Sequence, residues 1–149
     1  MAIGEICNRE VVYAARDTTV QAAAKLMRHY HVGSLVVIDE FGGKRIPVGI
    51  VTDRDIVVEV DATELDPKVM TIGDIMTSQL ATVPESEGLL ETMEVMRAKG
   101  VRRLPVVGGE GQLVGIVTID DLLEILAEEL TDLTRIVSKE QAREIQSRR

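Results

Sequence analysis

Helical periodicity and short apolar runs alternate along this chain in one order, and that order occurs twice. In the first pass Ile3 to Ile6 reads as a short helical turn and Val11-Val12-Tyr13 as a strand. Asp17-Thr18-Thr19 offers cap residues before a helix from Val20 to Tyr30, with Ala23, Ala24 and Met27 among its apolar positions and Gly33 as its breaker. Leu35 to Ile38 reads as a buried strand, Asp39 to Lys44 as a turn, Ile46 to Val51 as the returning strand, and Asp53 to about Val60 as helix. Pro47 predicts an edge position or a local irregularity. A polar connector, Asp61 to Thr71, leads to the second pass: helix Ile72 to Met76, strand Leu80 to Val83, and helix Ser86 to Lys99 stopped by Gly100. Strands Leu104 to Val107 and Leu113 to Val117 follow, then a helix from Asp120 to about Leu130 or beyond.

The two passes correspond residue by residue. Val20 to Val32 aligns with Leu89 to Val101, pairing Met27 with Met96 and Arg28 with Arg97, and Ile3-Gly4-Glu5-Ile6 aligns with Ile72-Gly73-Asp74-Ile75 at the same offset. Gly49-Ile50-Val51-Thr52-Asp53-Arg54-Asp55 matches Gly115-Ile116-Val117-Thr118-Ile119-Asp120-Asp121 at a shorter one, so the first copy carries extra residues around Phe41 to Arg45. A length change confined to a Gly-rich turn is what two copies of one folded unit show. Each copy alone is too small to be comfortably stable, and pairing through the sheets in pseudo-two-fold fashion gives the two a common core. The predicted division is 1–68 for the first repeat with its connector, 69–130 for the second, and 131–149 for a charged helical tail that keeps Leu133, Ile136, Val137 and Ile145.

With 45% hydrophobic and 28% charged residues the chain has the balance of an ordinary globular protein, and two Tyr, one Phe and no Trp leave the core to aliphatic side chains. A net charge of -8 argues against a nucleic-acid binder, which needs a basic surface to displace counterions. No apolar run is long enough to cross a bilayer and no N-terminal signal pattern is present, so the expected compartment is the cytoplasm, without membrane attachment. The single Cys7 cannot form an internal disulfide. His29 and His31 flank Tyr30 at a helix end, a spacing without a metal-binding motif, and no metal is expected. Gly42-Gly43 and Gly108-Gly109 read as hairpin turns rather than phosphate cradles.

The candidate chemistry lies at the repeated junctions. From spacing alone, Thr52 with Asp55 and Thr118 with Asp121 fit a helix capping box better than a ligand site. Arg102 and Arg103 precede a core strand and suit phosphate, or form a solvated charge pair; Gly33 and Ser34 stand at the matching positions of the first copy. Arg54, replaced by Ile119 in the second copy, either reaches a phosphate or pairs with Glu59 on the helix surface. No nucleophile, general acid or general base is marked out.

The order of elements, the paired Gly-Ile-Val-Thr-x-x-Asp stretches and Val101-Arg102-Arg103-Leu104-Pro105-Val106-Val107 together resemble the CBS domain, from Ile3 to about Leu130. The resemblance implies an α+β fold of two tandem CBS repeats, a Bateman module, each repeat helix-strand-helix-strand-strand-helix. It also implies an adenosyl ligand, namely AMP, ADP, ATP or S-adenosylmethionine, bound as a regulator in clefts between the repeats and not as a catalytic cofactor. Asp55 and Asp121 would then accept hydrogen bonds from ribose hydroxyls, a vicinal diol suiting the two oxygens of a carboxylate. Thr52, Thr118 and Arg54 would be polar neighbours, Arg102 and Arg103 phosphate contacts, and backbone at Tyr13, Ala14, Thr82 and Val83 the adenine edge. The implied assembly is a homodimer acting on an unidentified regulated protein. The rival is a dimerisation scaffold with vestigial clefts, and a nucleotide-processing enzyme is a third reading without a named nucleophile.

Overall fold

The computed structural model describes residues 1–148. The chain divides into two compact units, Met1–Val117 and Thr118–Arg149. The first holds α1 (Ile3–Ile6), β1 (Tyr13–Ala15), α2 (Val20–Tyr30), β2 (Ser34–Phe41), β3 (Lys44–Thr52) and α3 (Asp53–Ile56), the last continued by a π-helical turn, Val57–Asp61. Then come α4 (Ile72–Ile75), β4 (Val83–Pro84), α5 (Leu89–Lys99), β5 (Arg103–Val107) and β6 (Leu113–Thr118), and α6 (Ile119–Ser147) makes up the second unit.

Each repeat builds one three-stranded sheet, β1-β2-β3 and β4-β5-β6. β1 runs parallel to β2, as β4 does to β5, while β2 and β3 form an antiparallel hairpin. That hairpin extends further than its hydrophobicity predicts: Asp39 to Phe41 are strand, and only Gly42 and Gly43, at φ 57 and 78, make the turn. Register slips between Val37 and Ile38, beside Pro47, which has no N–H to donate. An ion pair between Lys44 and Glu110 joins the tips of the two hairpins.

The expected helix Val20 to Tyr30 is observed with the same ends. The Thr19 hydroxyl accepts the Ala22 N–H at 3.1 Å, capping it, and the helix stops at His31, held at φ 54, rather than at Gly33. Gly100 occupies the corresponding position after α5, at φ 65. Two expected strands shift: β1 begins at Tyr13 instead of Val11, and β4 also shrinks, confined to Val83 and Pro84 instead of starting at Leu80. α5 begins at Leu89, not Ser86.

The leading helix of each repeat belongs to the sheet of the other. Ile3 and Gly4 donate their N–H groups to Glu87 and Glu85 carbonyls at 2.7 and 2.9 Å. Their counterparts Ile72 and Gly73 donate to Thr18 and Arg16 carbonyls at 2.9 and 3.0 Å, the equivalent positions in the first repeat. Asn8 and Thr77 repeat the relation with Ile116 and Ile50. The core of the first sheet therefore contains Ile72, fully buried with Ala14, Ala23, Met27, Leu35, Val37 and Val51, and flanked by Ile75 and Met76. Ile3 is likewise fully buried. The Asp74 carboxylate accepts the Thr71 N–H at 3.0 Å at the start of α4, and this bond holds its pKa below the ordinary Asp value. Asp39 is lowered in the same direction by its bidentate pairing with Arg16, at 2.8 and 3.0 Å.

Candidate functional site

The strand-to-helix junction at the end of β3 is fixed by reciprocal hydrogen bonds. The Thr52 hydroxyl accepts the Asp55 N–H at 3.1 Å, and Asp55 Oδ2 accepts the Thr52 N–H at 2.8 Å. The junction in the C-terminal unit repeats this, with Asp121 N–H to the Thr118 hydroxyl at 3.2 Å and Thr118 N–H to Asp121 Oδ2 at 2.9 Å. Both junctions are thus capping boxes. Capping engages one oxygen of each half-buried carboxylate, and neither side chain makes another hydrogen bond among the described residues. An acceptor oxygen remains on each Asp beyond its structural duty.

Around the first junction lies a cleft of about 350 Å³. One wall is Ile50, Thr52, Asp53 and Arg54; another is the segment after α4, Thr77, Gln79, Leu80 and Ala81; the third is the approach to β5, Val101, Arg102 and Arg103. The exchange of leading helices brings the first two walls together, since Thr77 N–H bonds the Ile50 carbonyl at 3.1 Å. The lining combines the apolar Ile50, Leu80, Ala81 and Val101 with three arginines. None of those three arginines forms an ion pair among the described residues, and Arg54 makes no salt bridge to Glu59. A cleft that combines apolar side chains with cations outside any ion pair matches a heterocycle carrying an anionic group.

Thr52, Arg54, Arg102 and Arg103, far apart in sequence, therefore meet in one cleft. Asp55, hydrogen-bonded to Thr52, is not among the lining residues. Asp53, exposed within the lining, its Oδ1 accepting the Arg54 N–H at 2.8 Å, was not singled out by the motif; nor were Thr77 and Gln79. The repeat could have flagged Thr77 and Gln79, which correspond to Asn8 and Glu10, the residues flanking the first predicted strand. Thr82 and Val83 follow Ala81 directly, Val83 buried in β4 and Thr82 exposed.

A second depression, of about 620 Å³, is lined by Asn8, Glu10, Val11, Val12, Tyr13, Leu26, Tyr30 and Val32. Asn8, Glu10, Val11, Val12 and Val32 are the repeat counterparts of Thr77, Gln79, Leu80, Ala81 and Val101. Its lining carries no arginine and one carboxylate. Tyr13 lines it with Arg45 stacked 4.5 Å from its ring centre, whereas Ala14 is buried in the core. His29 meets the Tyr30 ring edge-on at 4.7 Å, and no group of three or more His, Cys, Asp or Glu among the described residues is placed to hold a metal.

No helix among the described residues is long and apolar enough to cross a membrane. A model of the CBS domain matches residues 3–62 and 72–128. An uncharacterized protein of Methanopyrus kandleri is 36% identical over 125 residues, which are 84% of this chain and 62% of that protein. Hypoxic response protein 1 of Mycobacterium tuberculosis is 36% identical over 124 residues, 83% of this chain and 84% of that one. The structure of a hexameric CBS-CP12 protein from bloom-forming cyanobacteria, 32% identical, is similar with a TM-score of 0.72, covering 83% of this chain and 66% of its own. Matched in order over both repeats, the chain belongs to the CBS domain family and carries two CBS domains in tandem.

Proposed function

We propose that this CBS pair is a regulatory sensor whose first cleft binds an adenine nucleotide or a related adenosyl compound. The observation that carries the reading is the convergence of Arg54, Arg102 and Arg103, none of them in an ion pair among the described residues, with Thr52 and the apolar Ile50, Leu80, Ala81 and Val101 in one cleft that also holds Asp53, Thr77 and Gln79. The base lies against Ile50, Leu80, Ala81 and Val101 and the arginines take up phosphate or another anionic group; by resemblance the ribose diol is read by the free acceptor of Asp55, which adjoins the lining through its bonds to Thr52. The volume, about 350 Å³, falls at the lower end of small-molecule sites, roughly 300 to 1,000 Å³, and favours a nucleoside monophosphate over longer polyphosphates inside the slot.

The second cleft takes a different ligand or none, because Glu10 and the absence of arginine disfavour phosphate there. Asp121 and Thr118 are the corresponding ribose and polar groups by resemblance. The module is a regulator and not a catalyst: ligand shifts the relative packing of the repeats, or their contact with a regulated protein, by binding one arrangement better than another. It acts as a homodimer, in keeping with the self-association of the hexameric CBS-CP12 relative.

Thermal melting with AMP, ADP, ATP, NAD and S-adenosylmethionine tests the reading. A specific ligand at about a hundredfold over its Kd adds roughly 2.7 kcal/mol. The shift should vanish in Asp55→Ala. A flat response to the whole panel, with no adenosyl compound found by mass spectrometry of the purified protein, would leave a dimerisation scaffold as the better account.

A further inference from the structure

α6 carries Leu123, Leu126, Leu130, Leu133 and Val137 at alternating spacings of three and four, which places them in one stripe along the helix. All are exposed, from 37% for Leu126 to 63% for Leu130. Every described residue from Leu126 to Arg148 is exposed. A solvated helix with an apolar stripe gains stability by laying that face on a partner.

Its charges say which partner. Every charged residue from Asp120 to Asp132 is acidic, whereas those from Arg135 to Arg148 are mostly basic. Two such helices side by side in the same direction set acid against acid and base against base. Reversed, each acidic half lies along the other's basic half, and the helix dipoles oppose as well. A single surface then satisfies itself across a two-fold axis, the usual geometry of a homodimer.

We infer that α6 pairs with α6 of a second copy, antiparallel, with Leu133 near the axis. Full overlap of Ile119–Ser147 with its reverse sets Leu133 opposite itself, Leu130 opposite Ile136 and Leu123 opposite Arg143. This deepens the homodimer reading above by naming the surface, and it is independent of any ligand.

The test uses the full chain. Molar mass by light scattering is measured across micromolar concentrations for the wild type and for Leu130→Asp/Leu133→Asp, both substitutions lying on exposed positions so that the body stays folded, as circular dichroism checks. The mass should fall by half in the variant. A wild type that is monomeric throughout overturns self-association altogether, whereas an associated wild type with unchanged mass in the variant overturns this surface alone. Orientation is read in a Cys7→Ser background by oxidation of Leu123→Cys and Arg143→Cys proteins. A disulfide formed only when the two are mixed supports antiparallel pairing. A disulfide formed by either protein alone means parallel helices and refutes it.

Discussion

Replacing Gly73 with alanine probes the crossed arrangement at its tightest point. A Cβ on Gly73 would sit 2.9 Å from the Arg16 carbonyl oxygen and 3.1 Å from the Arg16 Cβ. Both belong to the first repeat's chain, so relief requires α4 to lift from that sheet. Overpacking of this kind costs about 1–3 kcal/mol, and losing the Ile72 to Thr18 and Gly73 to Arg16 hydrogen bonds adds about 1 kcal/mol for each. The expected total is about 3–5 kcal/mol, a large part of the 5–15 kcal/mol typical of a domain. Urea unfolding followed by circular dichroism should show the midpoint falling by about 1 M or more. Gly4→Ala meets Glu85 at the same 2.9 Å and should cost a similar amount, while Gly109→Ala, with open space around its Cβ, serves as the neutral control. If Gly73→Ala and Gly109→Ala unfold at the same urea concentration, the exchange of helices does not bear on stability as argued.

Three further outcomes follow from particular residues. His31→Gly should stabilise the protein by up to about 1 kcal/mol, because a side chain at φ 54 is strained where the second repeat uses Gly100; an unchanged or lower melting temperature would contradict this. Asp74 has a lowered pKa, so the stability it contributes is present above the ordinary Asp value of about 3.9 and is lost as pH falls through the lower folded value. Melting temperatures of Asp74→Asn should accordingly depend less on pH on the acid side than those of wild type. Arg102→Ala should weaken AMP about tenfold or more while leaving adenosine nearly unaffected, as calorimetry would show, since a hydrogen bond to a charged group contributes about 1.5–3 kcal/mol. Equal losses for both ligands would move Arg102 away from the phosphate.

The repeat and its periodicities made the element order, the bounds of α2 and the strand-to-helix junctions legible before any coordinates. They misplaced β1 and β4 for one reason in both copies. Val11 and Val12, like Leu80 and Ala81, are apolar because they line clefts, and a run of such residues looks the same as a run that enters a sheet. The convergence of Thr52 with Arg102 and Arg103 follows from which sheet α4 packs on, and periodicity reports the face a helix buries without naming what lies beneath it. The helical end at His31 was hidden because Gly33 offered the stronger breaker signal two residues later. Asp53 escaped notice since the motif draws the eye to Asp55, which both repeats possess.

The crossing of Ile3–Ile6 and Ile72–Ile75 makes each half of the molecule the missing piece of the other. A protein cut within the exposed connector between Asp61 and Pro67 would yield two fragments, each lacking the segment that closes its own sheet and holding the one its companion lacks. Mixed together, they should clasp into a noncovalent whole.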